Sequence, residues 1–167
     1  MAAAAISSAV IGRCGDIDGV MKLIVNKTFP LTYNDSLYTK IAVEYKDYSC
    51  FSYLGDIPVG AISARKEDRN GEPALYVLIL SVLPRYRRGQ IASQLLKEVI
   101  KRVKSDPTVK SIYLHTPIQN ETAVKFYEKH GFNKAETIEG YYKSFQTADE
   151  NNAVVLEYKL DSQQIAE

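Results

Sequence analysis

Apolar residues run almost unbroken through "ALYVLILSVL" (74–83), the pattern of a strand covered on both faces and so central in a sheet. After a short polar stretch the period changes. Ile91, Leu95, Leu96, Val99, Ile100 and Val103 fall on one stripe, which predicts an amphipathic helix that "SDPT" (105–108) breaks. "KSIYLHT" (110–116), rich in β-branched and aromatic residues, predicts a short strand. "NETAVKFYEKHGF" predicts a helix with Asn120 as its cap and Gly131 as its left-handed stop. Two further strands follow in "NKAETIEGYYKSF" and "NAVVLEYKL".

The first half patterns differently. "DIDGVMKLIVNKTFP" opens on a capping Asp16 and keeps helical spacing up to Pro30. A loop through Asn34, Asp35 and Ser36 leads to a second helix near 36–44. "SCFSYLGDIPVGAISARKED" alternates around Gly55-Asp56, which predicts a hairpin, and "EDRNGEP" holds a second turn at Asn70-Gly71. The order is helices, hairpin, long strand, helix, strand, helix, strands. It predicts one mixed α/β domain over residues 13–160, after a disordered segment 1–12 and before a tail 161–167.

Composition narrows the function. With 167 residues, 46% hydrophobic and 25% charged, the chain can bury a core of one domain. A net charge of +1 gives no global field to attract nucleic acid, though it permits a local basic site. The two cysteines, Cys14 and Cys50, read as free thiols in a reducing compartment, with a single disulfide as the other reading. Neither they nor His115 and His130 have metal-ligand spacing, so no metal is expected. The start lacks a basic signal-peptide region, and no segment is apolar for long enough to span a bilayer. A cytosolic or nuclear protein is expected.

The stretch between the central strand and its helix, "PRYRRGQIAS" (84–93), carries chemistry. A turn entering a helix presents unpaired N–H groups at the positive end of the helix dipole. Arg87 and Arg88 add charge, and Gly89 allows close backbone approach. The pattern suits a phosphate or pyrophosphate. It suits equally a plain helix start with solvated arginines.

Here a resemblance bears on the choice. "VLPRYRRGQIASQLL" resembles the acetyl-CoA loop of the GNAT acetyltransferases, an Arg/Gln-x-x-Gly-x-Gly/Ala pattern after a central strand. "FPLTYND" (29–35), "IYLHTPIQNETAVKFYEKHGF" (112–132) and "YYK" (141–143) are similar to the NatE-type N-alpha-acetyltransferases, which associate with the NatA complex. The likeness spans about residues 16 to 160. One departure stands out: the family's fourth loop position is glycine and here is Gln90, whereas Arg87 and Ala92 fit.

The resemblance implies a GNAT fold, a mostly antiparallel mixed sheet of about seven strands with helices on both faces and a splayed central strand pair. It implies acetyl-CoA as cosubstrate, no metal, and protein N-termini as substrate, starting with Met and an apolar second residue. Subunits of a NatA-like complex are implied as partners, and neither nucleic acid nor membrane. Cofactor contacts fall on Leu80, Ser81, Val82, Arg87, Arg88, Gly89, Gln90, Ile91, Ala92, Ser93, Asn120, Thr122 and Tyr127. Substrate contacts fall on Phe29, Pro30, Leu31, Tyr33, Leu78, Tyr141 and Tyr142.

For catalysis, His115 is the natural base and Tyr76 orders the same water, positions that match the NatE-type pattern. Tyr127 serves the leaving thiolate, and a main-chain N–H near Val82 faces the thioester oxygen. The central strand offers no carboxylate as a rival base, and Cys50 has no histidine near it in sequence. His115 read alone is more often a core histidine and Tyr76 alone more often packing, and the context of the resemblance reverses that for His115. Two other functions stay open: acetylation of lysine or of a small amine such as a polyamine, and a weakly active adaptor within an acetyltransferase complex, suggested by Gln90.

Overall fold

The computed structural model describes residues 10–13, 17–29, 33–142 and 151–160. Among the described residues seven strands form one sheet in the order β1-β2-β3-β4-β5-β7-β6. They are β1 (Val10–Arg13), β2 (Ser49–Leu54), β3 (Ile57–Arg69), β4 (Glu72–Val82), β5 (Ser111–Pro117), β6 (Asn133–Ile138) and β7 (Ala153–Lys159). The helices are α1 (Lys22–Thr28), entered through a π turn at Ile17–Met21, then α2 (Asp35–Val43), α3 (Ile91–Lys104) and α4 (Glu121–Lys129). The strand begins at Val10, so regular structure reaches into the segment expected to be disordered. The expected cap Asp16, together with Cys14, lies outside the described residues, as do Pro30 and Leu31.

Packing groups the described residues into two compact units. One takes the chain up to Lys66 and Val77–Asp106; the other takes Glu67–Tyr76 and the chain from Pro107 onward. In the first unit β2 lies antiparallel to both β1 and β3. Its core gathers Met21, Ile24 and Val25 with Tyr38, Ile41, Phe51, Ala61 and Ile79. α3 buries Ile91, Leu95, Leu96, Val99 and Val103, the expected stripe less Ile100, which is only partly covered. Each such side chain contributes about 1.5–3 kcal/mol over leaving it in water.

The hairpin does not alternate as expected. β2 and β3 bury runs of consecutive residues, among them Ser49, Ser52 and Ser63. Burial on both faces is possible because these side chains are short and two of them pair, Ser49 donating to Ser63 Oγ at 2.9 Å, whereas the buried Ser52 hydroxyl has no hydrogen-bond partner.

In the second unit β4 runs parallel to β5, pairing Ala74, Leu75 and Tyr76 with Ser111, Ile112 and Tyr113. β5 pairs antiparallel with β7, and β7 with β6. Parallel neighbours need a crossover, which α3 supplies within the intervening chain. α4 is capped as expected: Asn120 Oδ1 accepts from the Ala123 N–H at 3.1 Å, and Gly131 takes φ +88° after the last turn. The strand expected over 133–145 stops at Ile138, and residues 143–150 are not described.

Candidate active site

In the first unit the chain leaves β4 through a single 3-10 turn, Pro84–Tyr86, before bending into α3. The Arg87 N–H bonds to the Pro84 carbonyl at 3.3 Å, and its side-chain Nε donates to the Val82 carbonyl at 3.1 Å. The guanidinium is thereby tethered beside the end of β4. The bend takes left-handed dihedrals at Arg88 and Gln90, both with φ +64°, and neither is glycine. The freedom assigned to Gly89 is thus used one residue to either side. Gln90 occupies the helix cap without a side-chain capping bond, and its carbonyl accepts from Gln94 at 2.9 Å. Main-chain N–H groups of Ile91, Ala92 and Ser93 head the first turn and have no carbonyl four residues back to bond. Arg87 and Arg88 are exposed beside them. The arrangement suits an anion.

Along β4 the apolar run conceals a difference between faces. Val77, Ile79 and Ser81 are buried, whereas Tyr76, Leu78 and Leu80 are only partly covered. Alternation places those last three on one face. The strand is therefore not sealed on both sides as expected, and its open face carries three of the predicted site residues. The Ser81 hydroxyl points elsewhere, hydrogen-bonded to Thr28 Oγ1. Ser81 can contribute only main-chain groups to a ligand on the open face. Phe29 and Leu78 pack against the first core, and the Phe29 ring meets Tyr33 edge-on at 6.3 Å.

The second unit assembles the expected acid–base residues. His115 Nδ1 lies 3.2 Å from the Tyr76 hydroxyl. Tyr141 stacks flat on the imidazole, with centroids 4.4 Å apart and planes 4° from parallel. Tyr142 meets Tyr141 edge-on at 4.9 Å. Tyr113 was not anticipated. It is the register partner of Tyr76 and lies two residues before His115, so all three rings share one face. Its ring lies 5.0 Å from Tyr76 and 6.0 Å from His115. Period-two alternation along "IYLHT" was the available signal.

Burial holds His115 below the ordinary histidine range, and the Arg69 guanidinium adds to this, with Glu136 and Glu67 opposing. An uncharged imidazole near neutral pH is a competent proton acceptor. Burial chiefly, and then a hydrogen bond with Tyr141, raises the Tyr76 phenol far above its usual range, so it stays protonated. Burial does the same for Tyr127 of α4, which packs against Phe126 of the same helix and Phe132 just beyond its end. Asn120 caps that helix, and Thr122 is exposed in its first turn.

Cys50 is fully buried and its thiol is pushed up to about 11, which removes it as a nucleophile. His130 Nδ1 is taken by the Phe126 carbonyl at 2.7 Å. Among the described residues no cluster of His, Cys, Asp and Glu is placed to hold a metal.

Residues 21–132 match the model of the acetyltransferase (GNAT) family. The chain is 37% identical over 142 residues to N-alpha-acetyltransferase 50 of Danio rerio, covering 85% of this chain and 82% of that one. It is 33% identical over 129 residues to a probable N-acetyltransferase, san, of Drosophila melanogaster, covering 77% and 70%. Its fold overlays that of Arabidopsis thaliana Naa50 in complex with the bisubstrate analogue CoA-Ac-MVNAL. The TM-score is 0.78 at 32% identity, covering 92% of this chain and 99% of that one.

Proposed function

The chain belongs to the acetyltransferase (GNAT) family, and on that premise we propose that it transfers acetyl from acetyl-CoA to the free N-terminal amine of proteins, preferring Met followed by an apolar residue. The observation that carries the proposal is the Tyr76–His115 pair, a partly covered phenol 3.2 Å from an imidazole that burial holds below the ordinary histidine range. The analogue bound by the Arabidopsis relative joins CoA to a peptide that begins Met-Val, which supports both the amine class and the apolar second residue.

An α-amine has a reference pKa of about 8, against about 10.4 for lysine, so it sheds its proton far more readily near neutrality. With Nδ1 donating to Tyr76, Nε2 of His115 accepts that proton directly or through a water. The amine nitrogen bonds to the thioester carbonyl carbon, and the carbon–sulfur bond breaks. A main-chain N–H near Val82 meets the charge on the carbonyl oxygen. The nitrogen, now bonded to carbon, gives up its surplus proton, which ends on the departing sulfur, and the Tyr127 hydroxyl, kept protonated by burial, donates a hydrogen bond to that sulfur as it leaves. The N–H groups opening α3, with Arg87 and Arg88, take the pyrophosphate of CoA. On this reading Phe29, Tyr33 and Leu78 serve the first side chains and Tyr141 and Tyr142 the peptide main chain, while Pro30 and Leu31, assigned with them by the resemblance, lie outside the described residues. Association with subunits of a NatA-like complex belongs to the same reading and is read by co-purification.

The test is CoA release from acetyl-CoA with a panel of amines. Peptides starting Met-Leu, Met-Lys, Ser and Ala are compared with an N-terminally blocked lysine peptide and with spermidine. Turnover of Met-Leu at least tenfold above the others is the expected result. Faster turnover of the blocked lysine peptide or of spermidine moves the function to side-chain or small-amine acetylation. Binding of acetyl-CoA without turnover of any amine favours the adaptor.

A further inference from the structure

A cluster of charged residues lies around Tyr113 in the second unit, and the acid–base reading leaves it unused. Arg69, at the end of β3, sits over the Tyr113 ring with its guanidinium carbon 4.3 Å from the centroid. Two carboxylates fix it there: Glu136 of β6 at 3.1 Å and Glu157 of β7 at 3.4 Å. The Tyr113 hydroxyl donates to Glu67, two residues before Arg69 on β3. Tyr113 is buried, with its ring against both Tyr76 and His115. Arg69 is largely covered, at 13% exposure of its side chain, and Glu157 at 18%. A surface ion pair would contribute little. A covered guanidinium held by two carboxylates and an aromatic face is locked in one pose.

We propose that Arg69 is a positioning residue for the Tyr76–His115 pair, acting through the Tyr113 ring and held in place by Glu136 and Glu157. Two effects follow from that placement. Tyr113, pinned by Arg69 and by its bond to Glu67, fixes the plane against which Tyr76 and His115 pack. The positive charge of Arg69 also disfavours a charged imidazole, while Glu136 and Glu67 work against it. Burial lowers His115 most, and its charge state is then adjusted by the opposition of Arg69 to Glu136 and Glu67. The groups facing His115 are Tyr76 of β4, Tyr113 of β5, Glu67 and Arg69 of β3, Glu136 of β6, and Tyr141 of the segment after β6.

This inference rests on the acid–base role proposed for His115, but its test does not need turnover. The chain has two histidines, so ring proton signals of His115 and His130 are separable by nuclear magnetic resonance, assigned with His130→Gln. Arg69→Met is expected to raise the titration of His115 by roughly half a pH unit or more, and Glu136→Gln to lower it. His130 stays in place in both. The acid limb of kcat/KM follows the same opposite shifts, and Tyr113→Phe lowers kcat without an opposite-signed pair. Glu136 is half exposed on an outer strand, so its variant keeps the fold even where Arg69→Met does not. A His115 titration that is unmoved by Glu136→Gln, or that moves upward with it, overturns the proposal. Absence of acetyl transfer in the wild type, with the opposite shifts present, overturns the acid–base role alone.

Discussion

His115 and Gln90 each answer to a local balance. Burial and Arg69 disfavour the imidazolium, so the folded His115 releases its proton below the ordinary value of about 6.5. The base is therefore in its accepting form throughout the neutral range and is lost only as pH falls through that lowered value. His115→Ala is expected to cut kcat/KM by roughly 10²- to 10⁴-fold at neutral pH. The amine's own titration cancels in the ratio of wild-type to variant rate, and that ratio should stay flat from pH 8 to about 6.5 and fall below. A ratio that already falls between pH 8 and 7 excludes an imidazole with a depressed pKa. At Gln90 the backbone is left-handed, a conformation that a side chain with a Cβ adopts at a cost. The side chain is exposed and makes no capping bond that would offset this cost. Gln90→Gly is expected to stabilise the fold by ~0.5 kcal/mol, the relieved strain exceeding the added freedom of the unfolded chain. Thermal melts in the absence of ligand check it, and a lower midpoint for the variant refutes it. The family's glycine at this position thus has a conformational reason, and the same reason makes this chain's departure tolerable: the required dihedral is reached with glutamine in place.

At the scale of elements, the seat of α3 on the sheet is decided at Gly60 of β3. A Cβ there would meet Ile91 Cγ2 at 2.9 Å, Leu95 Cδ1 at 3.2 Å and the Ser81 carbonyl oxygen at 3.2 Å. The first two belong to the buried stripe of α3, and the third is rigid backbone of β4. Gly60→Ala is expected to cost about 1–3 kcal/mol, and to raise the KM for acetyl-CoA by moving the start of α3. A melt unchanged from wild type would show that the helix gives way freely. The stripe itself was legible from spacing, as were the Asn120 cap and the two glycine-bearing hairpin turns, because each depends on neighbours within a few residues. Other features depend on what lies across the sheet. "SCFSYL" alternates on paper but is buried at consecutive positions, since Ser49 finds Ser63 on the neighbouring strand. "LYVLILSV" reads as sealed, yet Tyr76, Leu78 and Leu80 sit on a less covered face. The charged "EDR" (67–69) reads as part of a turn, but β3 extends through Arg69, and that extension brings Glu67 and Arg69 to Tyr113.

For the whole molecule, the net charge of +1 means that anion binding has to be local. The candidate groups are the N–H groups opening α3, Arg87 and Arg88, and Arg87 has a second tie through its bond to the Val82 carbonyl. A ligand that binds only the folded chain stabilises it by RT ln(1 + [L]/Kd), about 2.7 kcal/mol at a hundredfold excess over Kd. For a domain of this size each kcal/mol moves the midpoint by about 2–4 °C, so saturating CoA should raise it by roughly 5–10 °C. Arg87→Ala separates the residue's two roles. Loss of the bond to Val82 lowers the midpoint without ligand, and loss of the charge shrinks the rise that CoA produces. Both changes are expected together. A full CoA-induced rise in a destabilised variant would assign Arg87 to the fold alone and leave the pyrophosphate to Arg88 and the helix N–H groups. An unchanged midpoint with a diminished rise would mean that the Val82 bond adds nothing and that the guanidinium serves the ligand.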